Sequence, residues 1–208
     1  MDTKVAIVNY GMGNIRSIQN ALSFIGAESS VIDTPADILS SRKLILPGVG
    51  SFRLAMENIR RKALLDALNE SVLVKKIPIL GICLGMQLFA DESEEDGLTQ
   101  GFGWIPASVK RFPSDNLSIK IPHIGFTTVY FEPKNNTLFK GLDGSSDFYF
   151  VHSYRVMPRD LKYVLSWADY GERFTAAVQR ENIFGVQFHP EKSQTNGLAV
   201  LKNFCDLR

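Results

Sequence analysis

Residues 79–87 read Ile79-Leu80-Gly81-Ile82-Cys83-Leu84-Gly85-Met86-Gln87, an apolar run that enters a Gly-x-Cys-x-Gly turn before a helix leaves it. A continuous rather than alternating apolar run suits a strand covered on both faces, as in a parallel sheet. The two glycines let the chain turn sharply with little bulk around the sulfur, the cysteine form of a nucleophile elbow. Cys83 then stands at a helix N-terminus above the C-terminal edge of a sheet, where unpaired amides and the helix dipole favour thiolate over thiol. The Leu84 amide, next along the chain, is placed to serve an oxyanion. The plainer reading is a buried cysteine at a tight turn, since free cysteine is often a small core hydrophobe.

Upstream the signals alternate. Lys4-Val5-Ala6-Ile7-Val8 is a second near-continuous apolar run, which Gly11-Met12-Gly13 breaks. Ile15, Ile18, Ala21, Leu22 and Ile25 recur at helical spacing, with Asn14 as N-cap and Gly26 as stop. Strands are expected at Ser30–Ile32 and Leu44–Leu46, the latter broken by Pro47-Gly48-Val49-Gly50, and a helix over Ser51–Asn69. This βαβα rhythm predicts a parallel sheet with helices on both faces.

Downstream, strand-like runs follow one another without helices: Val109–Phe112, Phe126–Phe131, Phe148–Tyr154, Val164–Trp167, Thr175–Val178 and Phe184–Phe188. Some are expected to return to the main sheet and some to form a side layer. A last helix, about Gly197–Leu207, puts Leu198, Leu201 and Cys205 on one stripe, which makes Cys205 a core residue. The expected fold is α/β: a mostly parallel central sheet flanked by helices, with an antiparallel side layer, as one domain over 1–208.

A nucleophilic cysteine needs a base. His189 ends an apolar run in Gly185-Val186-Gln187-Phe188-His189-Pro190-Glu191. In extended chain, residues two apart share a side, so Glu191 is expected beside His189 to fix its tautomer. Functional groups in open α/β sheets gather beyond the strands' carboxyl ends, and both Cys83 and His189 follow strand-like runs. His152 competes, but inside an aromatic run it reads as structural. His123 follows Pro122 in a loop-like stretch and reads as an exposed or interface histidine. Gly48-Val49-Gly50 also follows a strand, and its backbone suits an oxyanion or ligand loop. Neither glycine cluster fits a phosphate-loop pattern, and no Cys/His set has metal spacing. The acidic run Glu92–Asp96 reads as a solvated turn.

Composition sets outer bounds. The 208 residues suit one domain, and 45% hydrophobic with 22% charged residues is the balance of a folded globule rather than a disordered chain. Twenty-three basic against 22 acidic side chains leave +1, too little for a general grip on nucleic acid. No apolar run spans a membrane, and the start at Met1-Asp2-Thr3 lacks a signal-peptide core. Two cysteines in unlike settings point to a reducing cytoplasm.

Together these segments resemble the class I (triad) glutamine amidotransferases over nearly the whole chain. The resemblance is carried by Asn9-Tyr10-Gly11-Met12-Gly13-Asn14, Pro47-Gly48-Val49-Gly50-Ser51-Phe52, the Cys83 turn, Tyr149-Phe150-Val151-His152-Ser153-Tyr154 and Gly185–Ser193. It implies Cys83 as nucleophile, His189 as base and acid, and Glu191 as orienting carboxylate. Gly48, Val49, Gly50 and Leu84 would form the oxyanion hole, with Gln87, Ser153 and Tyr154 near the amino-acid end of bound L-glutamine. It implies no metal or organic cofactor. Within the family, the likeness is to glutaminase subunits that pair as heterodimers with a (β/α)8-barrel cyclase, whose ligand is an aminoimidazole-pathway ribonucleotide. The segment Ile124-Gly125-Phe126-Thr127 departs from the usual Met-Gly-Trp-Asn near that interface. Related subunits feed ammonia to other synthases, including ones making surface sugars, and that alternative stays open, as does a stand-alone cysteine γ-glutamyl hydrolase.

Overall fold

The structure, a computed structural model, describes residues 4–113, 119–132 and 136–207. The expectation at Met1–Thr3 therefore lies outside the described residues. The first half alternates as expected: β1 (Val5–Val8), α1 (Ile15–Phe24), β2 (Ser29–Ile32), α2 (Pro35–Ser40), β3 (Leu44–Gly48), α3 (Phe52–Arg61), α4 (Leu64–Asn69), β4 (Ile79–Cys83) and α5 (Leu84–Gln87). The second half is mostly strand: β5 (Glu92–Ser93), β6 (Thr99–Gln100), β7 (Ala107–Arg111), β8 (His123–Phe131), β9 (Ser145–His152), β10 (Tyr154–Pro158), β11 (Val164–Asp169), β12 (Arg173–Arg180) and β13 (Ile183–Val186), before α6 (Gln194–Cys205).

A nine-stranded sheet runs β2-β1-β3-β4-β13-β12-β11-β8-β9. It is parallel from β2 to β13 and antiparallel from there to β9. A four-stranded sheet, β10-β7-β5-β6, forms the side layer. β1, β3, β4 and β13 are buried along their whole length, which explains their unbroken apolar runs. Two cores result. One holds Ile7, Ile18, Leu22 and an aromatic group around Phe148, Phe188 and Phe204; the other holds Leu46, Phe52, Met56, Leu68 and Trp104.

Several expectations are corrected. The helix expected over Ser51–Asn69 is two helices, because Ala63 adopts left-handed φ 55 between them. The buried stripe Phe52, Ala55/Met56, Ile59 would continue at 62 or 63, but Ala63 is exposed and the next buried residues are Leu64, Ala67 and Leu68. The kink shifts the phase and keeps both stripes on the core. The expected break at Pro47-Gly48 begins later: both residues stay in β3, paired with Ile82 and Cys83. The single run Phe148–Tyr154 is two strands in different sheets, parted at Ser153. Asn14 occupies the N-cap position of α1 without a side-chain cap bond. α2, with Pro35 at its start and Thr34 accepting from the Asp37 amide, has no counterpart among the expected elements. The run Glu92–Asp96 is no merely solvated turn. Glu92 and Ser93 form β5, Glu94 accepts from the Arg111 amide, Glu95 from the Phe52 amide, and Asp96 from the Ser51 hydroxyl. His123, expected exposed, is a buried β8 residue stacked on Tyr170 at 3.9 Å between ring centres.

Candidate active site

β4 and β13 are parallel neighbours, with Ile82 opposite Val186. Their carboxyl ends therefore deliver Cys83 and, three residues past Val186, His189 to one rim of the sheet. Cys83 has φ 55 and ψ −110, a conformation side chains rarely adopt and the mark of a nucleophile elbow. Its flanking glycines are required by contact. A Cβ on Gly85 would stand 1.9 Å from the Leu46 carbonyl oxygen, and one on Gly81 2.6 Å from the Phe89 ring.

The His189 strap is clamped from behind. Phe188 stacks on Phe148 at 4.1 Å, the His189 amide donates to the Tyr149 carbonyl at 2.8 Å, and Ser193 Oγ donates to the His189 carbonyl at 2.6 Å. Glu191 Oε1 meets His189 Nδ1 at 2.9 Å, with both side chains fully buried. The contact was expected, but its route was not: Pro190–Lys192 form a 3-10 turn that folds Glu191 back under the ring. Nε2 of His189 has no aligned hydrogen bond among the described residues and is left for the cleft. Burial opposes protonation of this ring, but the Cys83 sulfur and the Glu191 carboxylate outweigh it and push the pKa up to about 10.

The cleft, about 450 Å³, is lined by Val49, Gly50, Cys83, Leu84, Gln87, Glu95, Pro122, Val151, His152, Ser153, Tyr154 and His189. It gathers every expected site residue except Gly48, which pairs with Cys83 in the sheet, and Glu191, which reaches His189 Nδ1. Gly48 packs against Leu84 and the Tyr10 hydroxyl, and that hydroxyl donates to the Pro47 carbonyl at 2.7 Å. Burial, reinforced by nearby Cys83, raises the Tyr10 pKa and keeps it a donor. His152 lines the cleft but is no rival base. Its Nδ1 meets the Tyr154 carbonyl, its Nε2 meets His123, and burial pulls its pKa down to about 3. Gln187 was not singled out from the sequence, yet its side chain reaches the Cys83 sulfur. Glu95 was likewise missed; its carboxylate sits on the cleft wall, held by the Phe52 amide, and burial raises its pKa. Three further depressions, one lined by Lys4, Ser30 and Arg42, one by Arg16, Gln19 and Asn20 and one by Ser17, Phe24 and Leu198, hold no cysteine or histidine. Among the described residues no group of three or more His, Cys, Asp or Glu is disposed to hold a metal, and no helix is long and apolar enough to cross a membrane.

A thiol at a strained elbow, an imidazole just beyond the neighbouring strand and a buried carboxylate behind it form an arrangement able to do acyl transfer. Residues 6–207 match the family described as "Glutamine amidotransferase class-I", and the chain belongs to that family. A Moorella thermoacetica protein named "Imidazole glycerol phosphate synthase subunit HisH" is 48% identical over 203 residues, spanning 98% of this chain and 94% of its own. A Campylobacter jejuni protein, "Imidazole glycerol phosphate synthase subunit HisH 1", is 46% identical over 98% of this chain and 100% of its own. A solved structure described as a glutamine amidotransferase superposes with TM-score 0.73 over 96% of each chain; at 21% identity it bears on the fold alone.

Proposed function

We propose that this chain is the glutaminase subunit of an imidazole glycerol phosphate synthase, acting as one amidotransferase domain over 1–208 in the cytoplasm. The observation that carries the reading is the convergence of Cys83 and His189 on one cleft with Glu191 behind. Names at 46–48% identity support the synthase assignment.

The Cys83 thiolate attacks the side-chain amide carbon of L-glutamine, and charge moves onto the former carbonyl oxygen. The Leu84 amide and the backbone of Gly48–Gly50 stabilise it; one such donor is typically worth ~3 kcal/mol. His189 Nε2 gives its proton to the departing nitrogen, the C–N bond breaks, and ammonia leaves a γ-glutamyl thioester on Cys83. Water, losing a proton to the same nitrogen, then releases glutamate and restores the thiol. Glu191 holds the ring through Nδ1, so Nε2 is the atom that exchanges protons. Gln87, Ser153 and Tyr154 line the wall where the amino-acid end sits, and the Glu95 carboxylate there suits its ammonium group.

Ammonia must travel as the neutral base, which favours a closed path to a partner, in this reading a (β/α)8-barrel cyclase forming a heterodimer. The test is Cys83→Ala in the assembled synthase. Product formation from glutamine is lost and product from added ammonium salts is retained. Unchanged glutamine-driven product would reject the reading. Sequencing the copurified barrel identifies the acceptor reaction. A barrel of another synthase, such as one for surface sugars, would move the assignment there, a question raised by the exposed Ile124 and Phe126 on β8.

A further inference from the structure

Beyond Cys83, His189 and Glu191, one buried amide at this site has no task in the scheme above. Gln187 is fully buried, two residues before His189, and its backbone N–H donates to the Ala176 carbonyl at 2.8 Å. Its Nε2 lies 3.7 Å from the Cys83 sulfur, an ordinary length for a bond to sulfur.

Neighbouring groups fix which end of the amide faces the sulfur. The Tyr154 carbonyl can only accept. Gln87 meets it at 3.0 Å, so the Gln87 group there is the NH2. The same Nε2 lies 3.0 Å from the Gln187 side chain, which must present its oxygen and so turns its own NH2 to the sulfur. The opposite chain obeys the same carbonyl. His152 Nδ1 reaches it at 2.8 Å and must carry its proton, so His152 Nε2 accepts from His123 Nδ1 at 3.1 Å, and His123 Nε2 accepts from the Thr127 hydroxyl at 2.8 Å. One backbone oxygen thus sets the polarity of two buried chains.

The sulfur also meets the Val151 carbonyl at 3.8 Å, a pure acceptor that takes the S–H of the thiol. A thiolate has no use for that oxygen and gains from an N–H donor. We propose that Gln187 is a direct hydrogen-bond donor to the Cys83 sulfur that favours its anionic form, with Gln87 and the Tyr154 carbonyl as the groups that position it. A merely space-filling role does not explain a buried amide here: leaving its N–H groups dry is costly, and the sulfur is the partner Nε2 meets among the described residues. The proposal rests on Cys83 being the nucleophile.

The test measures iodoacetamide alkylation of Cys83 against pH in the full chain, read by peptide mass to separate it from Cys205. In Gln187→Leu, of similar volume, the midpoint moves up by about one pH unit, the size expected for a charge-assisted bond worth roughly tenfold. In Gln187→Glu, which keeps the shape but brings a carboxylate to the sulfur, it moves up at least as far; this variant decides if the leucine protein does not fold. In the same variants glutaminase kcat falls about 10-fold or more, and the KM for glutamine stays within about twofold. A midpoint unmoved in the folded variants overturns the proposal. Wild-type protein that alkylates normally yet shows no glutaminase activity with any partner overturns the reading of the site instead, and the alkylation curves still report the bond.

Discussion

Gly48 is the register partner of Cys83 in the parallel β3–β4 pair, so the backbone that follows β3 lies directly beside the reactive sulfur. The contact is close on every side. A Cβ at Gly48 would stand 2.7 Å from the Tyr10 hydroxyl and 2.8 Å from the Gly85 amide nitrogen. Neither is a free side-chain end, since the hydroxyl is tied to the Pro47 carbonyl and the amide belongs to α5. Gly48→Ala is therefore expected to cost about 1–3 kcal/mol through overpacking, and to move the proposed oxyanion donors off the developing charge. Urea melts check the first effect; a fall in kcat of about 10² or more, with folded protein confirmed, checks the second. Wild-type turnover in Gly48→Ala would remove this strand from the oxyanion site.

Glu191 reaches His189 Nδ1 at 2.9 Å in a setting that excludes water from both side chains. Glu191→Gln keeps the volume and lets the amide present its NH2 to that nitrogen. The ring then carries its proton on Nε2, the wrong tautomer for taking a proton from thiol or water. The expected loss in glutaminase kcat is about 10²–10⁴-fold with little change in KM. Because the carboxylate also holds the His189 pKa up, the basic limb of the pH–rate profile moves to lower pH. Steady-state kinetics over pH 6–10 test both; an unshifted profile with wild-type rate would show that Glu191 only packs.

The two buried histidines that exchange no proton in the reaction make the fold acid-sensitive. Burial holds His123 down to about 4 and His152 down to about 3, the latter helped by His123, His189 and Arg155 nearby. Both rings are neutral in the native state and protonate readily once unfolded, where their ordinary value is about 6.5. Stability from the neutral pair is thus complete above about pH 6.5 and lost as pH falls toward 4 and then 3. Up to two extra protons bound on unfolding give a slope that approaches about 2.7 kcal/mol per pH unit near pH 5 and shrinks again as the native rings themselves protonate. Urea midpoints at pH 7, 6 and 5 should fall progressively, and less so in His123→Gln. A midpoint that is flat from pH 7 to 5 would contradict the neutral pair.

The elbow and the strand alternation were legible because they rest on local chemistry: unbroken apolar runs, and glycines where bulk is excluded. The His189–Glu191 contact was legible from spacing, although a 3-10 turn rather than extended chain produces it. What stayed hidden depends on distant partners. Ala63 turns left-handed to bring two apolar stripes onto one core, and no residue near it announces that. Glu94 and Glu95 look like solvent-facing charge until the Arg111 and Phe52 amides arrive from other elements. Gln187 carries no signal of its own, since its significance comes from Gln87 and a sulfur 104 positions away. A subtler signal was available for α2, where Thr34-Pro35-Ala36-Asp37 has a capping residue, a first-turn proline and an acidic third position.

A glutaminase that ran without its partner would discharge ammonia into water, so control of the oxyanion site is expected of the proposed subunit. The loop after β3 has the means. Val49 is exposed on the cleft, Gly50 holds φ 101, and glycines on both sides of Val49 make rotation of the intervening peptides sterically cheap. Tyr10 fixes the Pro47 carbonyl and so marks where the movable part begins. A Cβ at Gly50 would meet the Met12 methyl at 2.8 Å, so Gly50→Ala is opposed by backbone conformation as well as by contact. Loading the partner with its ligand is expected to raise glutaminase kcat about 10²–10³-fold, the worth of one oxyanion donor gained. In Gly50→Ala the strain falls on the resting loop, so the basal rate should rise and the stimulation by loaded partner should shrink by about tenfold or more. Glutamate release measured with free chain, with empty partner and with loaded partner distinguishes the cases, and equal rates in all three would reject gating by this loop.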